Sequence, residues 1–386
     1  MEPPLDRSDF PVTGRWNYLN HAGTAPPSGP AVEAMHACAR ESSLSGSLAY
    51  TAQADRAEEV RAAAGHLLGV PAVDVAFVKN TTEGLGFVAG GLDWSPGDRV
   101  VVPDLEFPST LYPWLALADR GVTVDLVPTS GPGRTLPVDA YAEVVAAGPA
   151  PKLVVTSWVQ FGLGWRSDLA SLAQLSHDAG ALLCADVIQG LGVVPAEMDA
   201  WGVDFAMADA HKWLLGPLGV GVLYVRGSCL ERLRPLEPGW ASMAHREDWD
   251  NRAIVWADGA RRLEGGSANM VGIHAMGASV DLLLDAGVGR IWAYVSMLCD
   301  RLCEGLASAG AVVVSDRSAA GRSGIVSFTV DGIDPVALVE ALRHEGSVCA
   351  PRAGAVRVSP HGYNTTDDVD AVVAVVAGSR SRRAAP

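Results

Sequence analysis

Lysine is nearly missing from this chain of 386 residues: Lys79, Lys152 and Lys212 stand against 26 arginines. Arginine cannot take over every task of lysine. A guanidinium stays protonated in proteins, whereas an amine with a lowered pKa becomes a nucleophile able to form a Schiff base. A lone lysine is ordinarily a solvated surface charge, and an arginine excess reflects genomic base composition as readily as function. Each of the three therefore has to be judged by its neighbours.

Other absences narrow the classes further. The six cysteines (Cys38, Cys184, Cys229, Cys299, Cys303 and Cys349) contain no Cys-x-x-Cys pair, and Cys299 and Cys303, four apart, have no partner pair to complete a zinc site. Buried free thiols, and no metal, are the expectation. Positive charge is also short: a formal net charge of −15 argues against a nucleic-acid or anionic-membrane surface. The Arg380, Arg382, Arg383 cluster at the C-terminus reads as a frayed tail. Met-Glu-Pro-Pro-Leu-Asp at the start has neither a basic stretch nor a long apolar run, so the expectation is a cytoplasmic chain without signal peptide or membrane span. Gly-x-Gly-x-x-Gly is missing too. Gly84, Gly86 and Gly90 have the wrong spacing, which counts against a nicotinamide-dependent dehydrogenase.

What is present is an alternation of strands and helices. Val73–Val78, Arg99–Pro103, Val122–Val127, Leu153–Trp158, Ala181–Ala185, Phe205–Ala208 and Val220–Val225 are short apolar runs bounded by Gly, Pro or Asp. Helical stretches such as Leu169–Ala179 lie between several of them. The pattern predicts an α/β fold: a large domain with a mainly parallel, mixed seven-stranded sheet sandwiched by helices. Residues 234–269, rich in Pro, Gly, Trp and Arg, read as a long loop or arm. Helices over Gly272–Ala286, Gly289–Ala309 and Pro335–Glu345, with strands at Val312–Val314, Ile325–Val330 and Ala355–Ser359, then predict a smaller C-terminal α+β domain. The expected division is 21–265 for the large domain and 1–20 with 266–386 for the small one.

In such sheets ligands bind at the carboxyl ends of the strands. Asp186 ends the strand Ala181–Ala185 and is followed by Gln189. An acid there can hold a pyridinium nitrogen protonated and a glutamine can reach a phenolic oxygen, although an aspartate opening a turn is the commoner case. Asn80-Thr81-Thr82-Glu83-Gly84 follows a strand and opens a helix, which suits a phosphate as well as it suits an ordinary capping box. Glu106 to Trp114 follows another strand, and its aromatics either stack on a planar group or simply fill the core. Lys212 sits in Asp209-Ala-His-Lys-Trp-Leu-Leu-Gly216.

Taken together and in this order, these stretches resemble the class V aminotransferase family of pyridoxal-phosphate enzymes, fold type I, in its isopenicillin N epimerase-like and cysteine desulfurase-like branch. The likeness also takes in Tyr18 to Ala25, Leu263 to Asn269 and Arg357 to Asn364. It implies that Lys212 forms the Schiff base with pyridoxal 5'-phosphate. It implies that Asp186 pairs with the pyridine nitrogen, Gln189 with the ring oxygen, and that Phe107 stacks on the ring. Thr81 and Thr82 would hold the phosphate with His211, while Ser267 would reach the phosphate of the other subunit of a homodimer with composite sites. Arg357 would grip the substrate α-carboxylate bidentately.

The chain departs from desulfurases at three places. Phe107 stands where they carry a histidine and cannot transfer protons. Cys349 falls on an apolar strand end and not on a nucleophile loop, so a structural role is expected. Asp209 replaces a phosphate-binding serine, and an anion beside a phosphate is unfavourable, so Asp209 is expected to turn to His211 or to a backbone amide. The resulting expectation is an enzyme acting at Cα of a small-molecule amino-acid substrate, by β-elimination or C–S cleavage of a cysteine conjugate. Aminotransfer, epimerisation and decarboxylation-coupled deamination share its early steps. A non-catalytic binding module on the same fold is the other class. Trp16, Trp158, Trp165, Trp240, Trp249 and Trp256 are candidates to line a site for a bulky substrate.

Overall fold

The computed structural model describes residues 1–129 and 135–384, with side chains to residue 379. After β1 (Asn17–Tyr18), the strands of the main sheet are β2 (Val75–Val78), β3 (Arg99–Pro103), β4 (Thr123–Val127), β5 (Leu153–Ser157), β6 (Leu182–Asp186), β7 (Phe205–Asp209) and β8 (Gly221–Val225). Their order is β2-β8-β7-β6-β5-β3-β4. The pairs from β4 to β7 are parallel, and β8 runs antiparallel between β7 and β2.

The central strands are buried on both faces, which is why they read as continuous apolar runs without alternation. Alternate residues feed two separate cores: Leu183, Ala185, Ala206 and Ala208 face one helical layer, Leu182, Cys184, Phe205 and Met207 the other. The helices are α1 (Gly29–Ser45), α2 (Tyr50–Leu68), α3 (Thr81–Gly91), α4 (Pro108–Leu115), α5 (Val138–Ala146), α6 (Leu169–Asp178), α7 (Met270–Ala286), α8 (Val288–Ser308), α9 (Pro335–His344) and α10 (Thr366–Ala384). Both α1 and α2 pack on α7. No single helix among the described residues is long and apolar enough to cross a membrane.

Beyond the main sheet, β9 (Val312–Val313), β10 (Val326–Thr329), β12 (Ala350–Arg352) and β13 (Ala355–Val358) form a four-stranded antiparallel sheet in the order β12-β13-β10-β9. The N-terminal residues are stitched to this part of the chain. β1 pairs in parallel with β11 (Ser347–Val348), Asn20 bridges to Ser359, and Arg7 meets Asp368 at 2.7 Å. The C-terminal cluster expected to be frayed lies instead on α10, which runs to Ala384; the side chains of Arg380, Arg382 and Arg383 fall outside the described residues. α10 packs on α8, with Val369, Val372 and Val376 fully buried, so the apolar face of the helix orders the chain end.

Candidate active site

The carboxyl ends of the parallel strands converge on one cavity of about 580 Å³. The turn after β2 contributes Asn80 to Thr82, the loop after β3 contributes Phe107, and β5, β6 and β7 end in Ser157, Asp186 and Asp209. Gln189, His211, Lys212, Arg352 and Arg357 complete the wall. Ser267 does not line it. It is exposed and borders an adjoining cleft with Glu83 and Glu237.

Lys212 follows β7 in a turn that ends at Leu215, a non-glycine residue in the left-handed region at φ 57°. That conformation is held from both sides: the Leu215 N–H donates to Lys212 O at 3.0 Å, and Leu215 O accepts from Ser28 N–H and the Ser279 hydroxyl. The Lys212 amine has no hydrogen-bond or ion-pair partner among the described residues; its Nζ lies 5.6 Å from the Phe107 ring centroid. Burial brings its amine down to about 8, assisted by Arg357 and Arg352 and opposed by Asp186 and Asp209. The other two lysines have ordinary employment, Lys79 with Glu83 at 2.7 Å and Lys152 with Asp98 at 2.5 Å.

Asp186 is buried, and burial raises its carboxyl above the usual range against the Ile188 N–H bond, the Lys212 charge and the Thr110 hydroxyl. Its oxygens are fixed: Oδ1 accepts from Ile188 N–H at 3.0 Å and Oδ2 from Thr110 Oγ1 at 3.1 Å. Gln189 is locked in the same manner, with Nε2 donating to Ala22 O and Oε1 accepting from Trp213 Nε1, both at 2.9 Å. One N–H of its amide is left for a ligand. The turn directly after Gln189 depends on Gly190, where a Cβ would meet the Trp158 ring at 2.4 Å.

At the α3 end, Asp209 takes both donors of Thr81. Its Oδ1 accepts the Thr81 backbone N–H in a short bond and the Thr81 hydroxyl at 3.1 Å. Its Oδ2 lies 3.3 Å from His211 Nδ1, off the geometry of a hydrogen bond, so that buried nitrogen is left without a partner. Thr82 donates to Ser109 Oγ at 2.8 Å. Burial pushes Asp209 up to about 6 and His211 down to about 4.

Arg357 closes the opposite end from β13. It is 1% exposed and has no carboxylate partner: Nη1 donates to Phe161 O at 2.5 Å, Nη2 to Asn20 Oδ1 at 3.2 Å, and Nε has none. A buried guanidinium left this way costs free energy unless an anion joins it. Phe107, 42% exposed, meets Phe161 edge-on at 5.5 Å.

None of the six tryptophans expected to line a site borders this cavity. Trp158 is buried beneath Gly190, and Trp240 and Trp249 pack on each other at 5.7 Å in the arm. Conversely, Thr110, Ser109 and Asn20, which orient Asp186, Thr82 and Arg357, were passed over. All three lie inside the stretches 106–114 and 18–25 that carry the family likeness.

The cavity suits a planar, phosphorylated aldehyde. It offers an amine without a partner, a buried oriented carboxylate, an exposed aromatic face, the N-terminus of α3 and a guanidinium without a carboxylate. Fold and cavity thus define the class, a pyridoxal-phosphate-dependent enzyme on an α/β sheet. The comparisons make it specific. Aminotransferase class-V matches residues 17–372. A probable cysteine desulfurase of Methanothermobacter thermautotrophicus is 30% identical over 385 residues, 94% of either chain. The uncharacterized aminotransferase YcbU of Bacillus subtilis is 29% identical over 317 residues, 82% of this chain and 81% of that one. The apo cysteine desulfurase of Thermococcus onnurineus NA1 superposes with a TM-score of 0.87 at 25% identity, over 97% of both chains. The chain belongs to the class-V aminotransferase family.

Proposed function

We propose that this enzyme cleaves the C–S bond of a cysteine conjugate by β-elimination, with Lys212 as the residue that holds pyridoxal phosphate and moves the proton. Bound pyridoxal phosphate supplies an electron sink conjugated to the substrate's Cα. Asp186, buried and oriented by Thr110, keeps the ring nitrogen cationic. Gln189 would meet the ring oxygen, Phe107 the ring face, and Thr82 with His211 the phosphate, joined by Thr81 where Asp209 releases its donors. Arg357 takes the α-carboxylate. The Lys212 amine, once displaced by substrate, removes the Cα proton. The Cα–H and Cβ–S bonds break, the thiol departs with a proton, and hydrolysis with one water leaves pyruvate and ammonium.

The observation that carries elimination over sulfur transfer is the absence of any thiol from the cavity wall among the described residues. Cys349 is buried, its thiol pushed up to about 12 by burial, so it lacks the thiolate character of a nucleophile. The curated relative named a probable cysteine desulfurase supports chemistry at a cysteine C–S bond. We further take 21–265 as the cofactor-binding domain and 1–20 with 266–386 as the small domain. Ser267, exposed and outside its own cavity, would serve the second copy in a homodimer.

The test is a panel of S-substituted cysteines assayed for pyruvate and ammonium with the purified holoenzyme. Equal amounts of thiol, pyruvate and ammonium are expected, together with a visible band that borohydride bleaches and that Lys212→Ala lacks. L-Cysteine is assayed beside the panel: alanine and protein-bound persulfide from it, with no pyruvate from any conjugate and both products lost in Cys349→Ala, would overturn elimination in favour of sulfur transfer.

A further inference from the structure

Several arginines of this molecule meet a carboxylate directly. Arg61 meets Glu264 at 2.5 Å, Arg99 meets Asp125 at 2.6 Å, and Arg301 meets Asp370 at 2.6 Å. Inside the candidate active site two guanidiniums lack such a partner. Arg357 has no acidic partner, and neither has Arg352, whose guanidinium donates only to the neighbouring Pro351 carbonyl at 2.8 Å. Both line the same cavity as Lys212.

Their placement follows from one hairpin. β12 and β13 pair antiparallel, with Ala350 opposite Arg357 and Arg352 opposite Ala355. The two-residue tip, Ala353 and Gly354, is left-handed at both positions, φ 50° and 78°. That is the backbone of a tight hairpin turn, and it fixes Arg352 on the shoulder of the ribbon without a loop's freedom. Two guanidiniums from one rigid ribbon thus enter one cavity, one buried and one at the rim.

No residue of the cavity neutralises the second charge. Its two acids are already engaged, Asp186 by Ile188 and Thr110, and Asp209 by Thr81. Like charges brought together repel: Arg352 helps to depress both Arg357 and Lys212. In a chain of net charge −15, two guanidiniums without a carboxylate in one cavity favour an anionic ligand. An α-carboxylate accounts for Arg357 and leaves Arg352 over.

We propose that Arg352 is a specificity-determining residue, binding a second anionic group at the far end of the substrate's side chain. The substrate class is then an acidic amino acid, a cysteine conjugate whose S-substituent ends in a carboxylate or sulfonate. This rests on Arg357 holding the α-carboxylate, as in the function proposed above. Phe107 and Phe161, edge to face in the same wall, provide an apolar surface for the methylene and sulfur between the two anions.

The experiment compares S-carboxymethyl-L-cysteine with its neutral amide, S-carbamoylmethyl-L-cysteine, on the holoenzyme. Both the change in the visible band on titration and pyruvate release are followed. The wild type is expected to favour the acidic conjugate by about 10-fold or more, the scale of one charge-assisted hydrogen bond. In Arg352→Gln that ratio falls toward one, and Arg352→Lys recovers part of it. A wild type without preference, or an Arg352→Gln variant that keeps the full preference, overturns the proposal. If acidic amino acids perturb the band through Arg352 but no conjugate yields pyruvate, the anion subsite stands and the elimination reading fails.

Discussion

Asp209 seals the N-terminus of α3 by accepting both the backbone N–H and the hydroxyl of Thr81, two donors that a phosphate would otherwise use. The cradle is therefore built with one anion already in it. With its carboxyl near 6, Asp209 is mostly neutral at pH 5 and mostly charged at pH 8. Asp209→Asn keeps an acceptor for Thr81 and removes the charge. At pH 8 the variant should bind pyridoxal phosphate about 10-fold more tightly than wild type, a ~1.4 kcal/mol effect that is modest beside the ~4 kcal/mol of two close charges near a surface. At pH 5 the difference should nearly vanish. Equilibrium dialysis of apoprotein at the two pH values decides it: an equal effect at both would mean that Asp209 does not repel the phosphate.

Arg357 is the second place where binding and folding are opposed. Its guanidinium is lowered to about 9, chiefly by burial and then by Arg352. Replacing it by methionine fills similar volume without a buried charge. Apoprotein Arg357→Met should gain about 1 kcal/mol in urea unfolding, the gain being limited by the lost bonds to Phe161 O and Asn20. The same variant should raise KM by at least about 30-fold, since a buried carboxylate partner is removed. A destabilised apoprotein would show that the two hydrogen bonds outweigh the desolvation.

Lys212 sets the pH at which the apoenzyme takes up its cofactor. Only the neutral amine attacks a carbonyl, and this amine titrates near 8. The rate at which the visible band forms should rise about tenfold from pH 7 to 9 and level off above that. Asp186 pulls in the opposite direction to burial, holding the ammonium charged. Asp186→Asn should therefore move the midpoint to lower pH, as stopped-flow absorbance would show; a midpoint near 10.5 would mean that the amine is solvated.

The sheet was legible because its central strands are buried on both faces, so that each is an unbroken apolar run. All seven fall within two residues of the ranges expected from sequence. The helices α1 and α2 were not, because their apolar content is mostly alanine; α1 buries only Ala31 and Cys38. The two-residue strands β1 and β11 carry no periodic signal of their own and exist only as a pair 330 residues apart. The same limit applies at the site. That Thr81 spends its donors on Asp209, 128 residues away, or that Asp186 is held by Thr110, 76 residues before it, is a long-range pairing with no local signature. Sequence order brought out the residue types around Lys212, whereas the tryptophans misled because Trp158 packs under a glycine turn instead of facing the cavity.

Beneath the site two histidines are buried with neutral rings dictated by their partners. His21 Nδ1 donates to Ser359 O at 2.8 Å while Nε2 lies 2.7 Å from the Tyr363 hydroxyl. His361 Nε2 donates to Trp213 O at 3.0 Å and Nδ1 accepts from Gly362 N–H at 2.8 Å. Burial pulls His361 down to about 4 and His21 well below its ordinary value. For a depressed histidine the stability is complete above the unfolded value of about 6.5 and is lost as pH falls toward the folded one, because the unfolded chain takes the proton first. At pH 5 the His361 ring should cost about 2 kcal/mol. Glu106, raised to about 7, and Asp209 work the other way over the same interval, since the folded chain holds their protons more tightly. The wild-type profile is therefore nearly compensated, and the histidine term has to be read by difference. His361→Asn, compared with wild type by urea unfolding, should lose stability at pH 7.5 through its missing hydrogen bonds. It should recover about 2 kcal/mol of that deficit at pH 5, and a deficit that stays constant with pH would mean that His361 is charged in the folded protein.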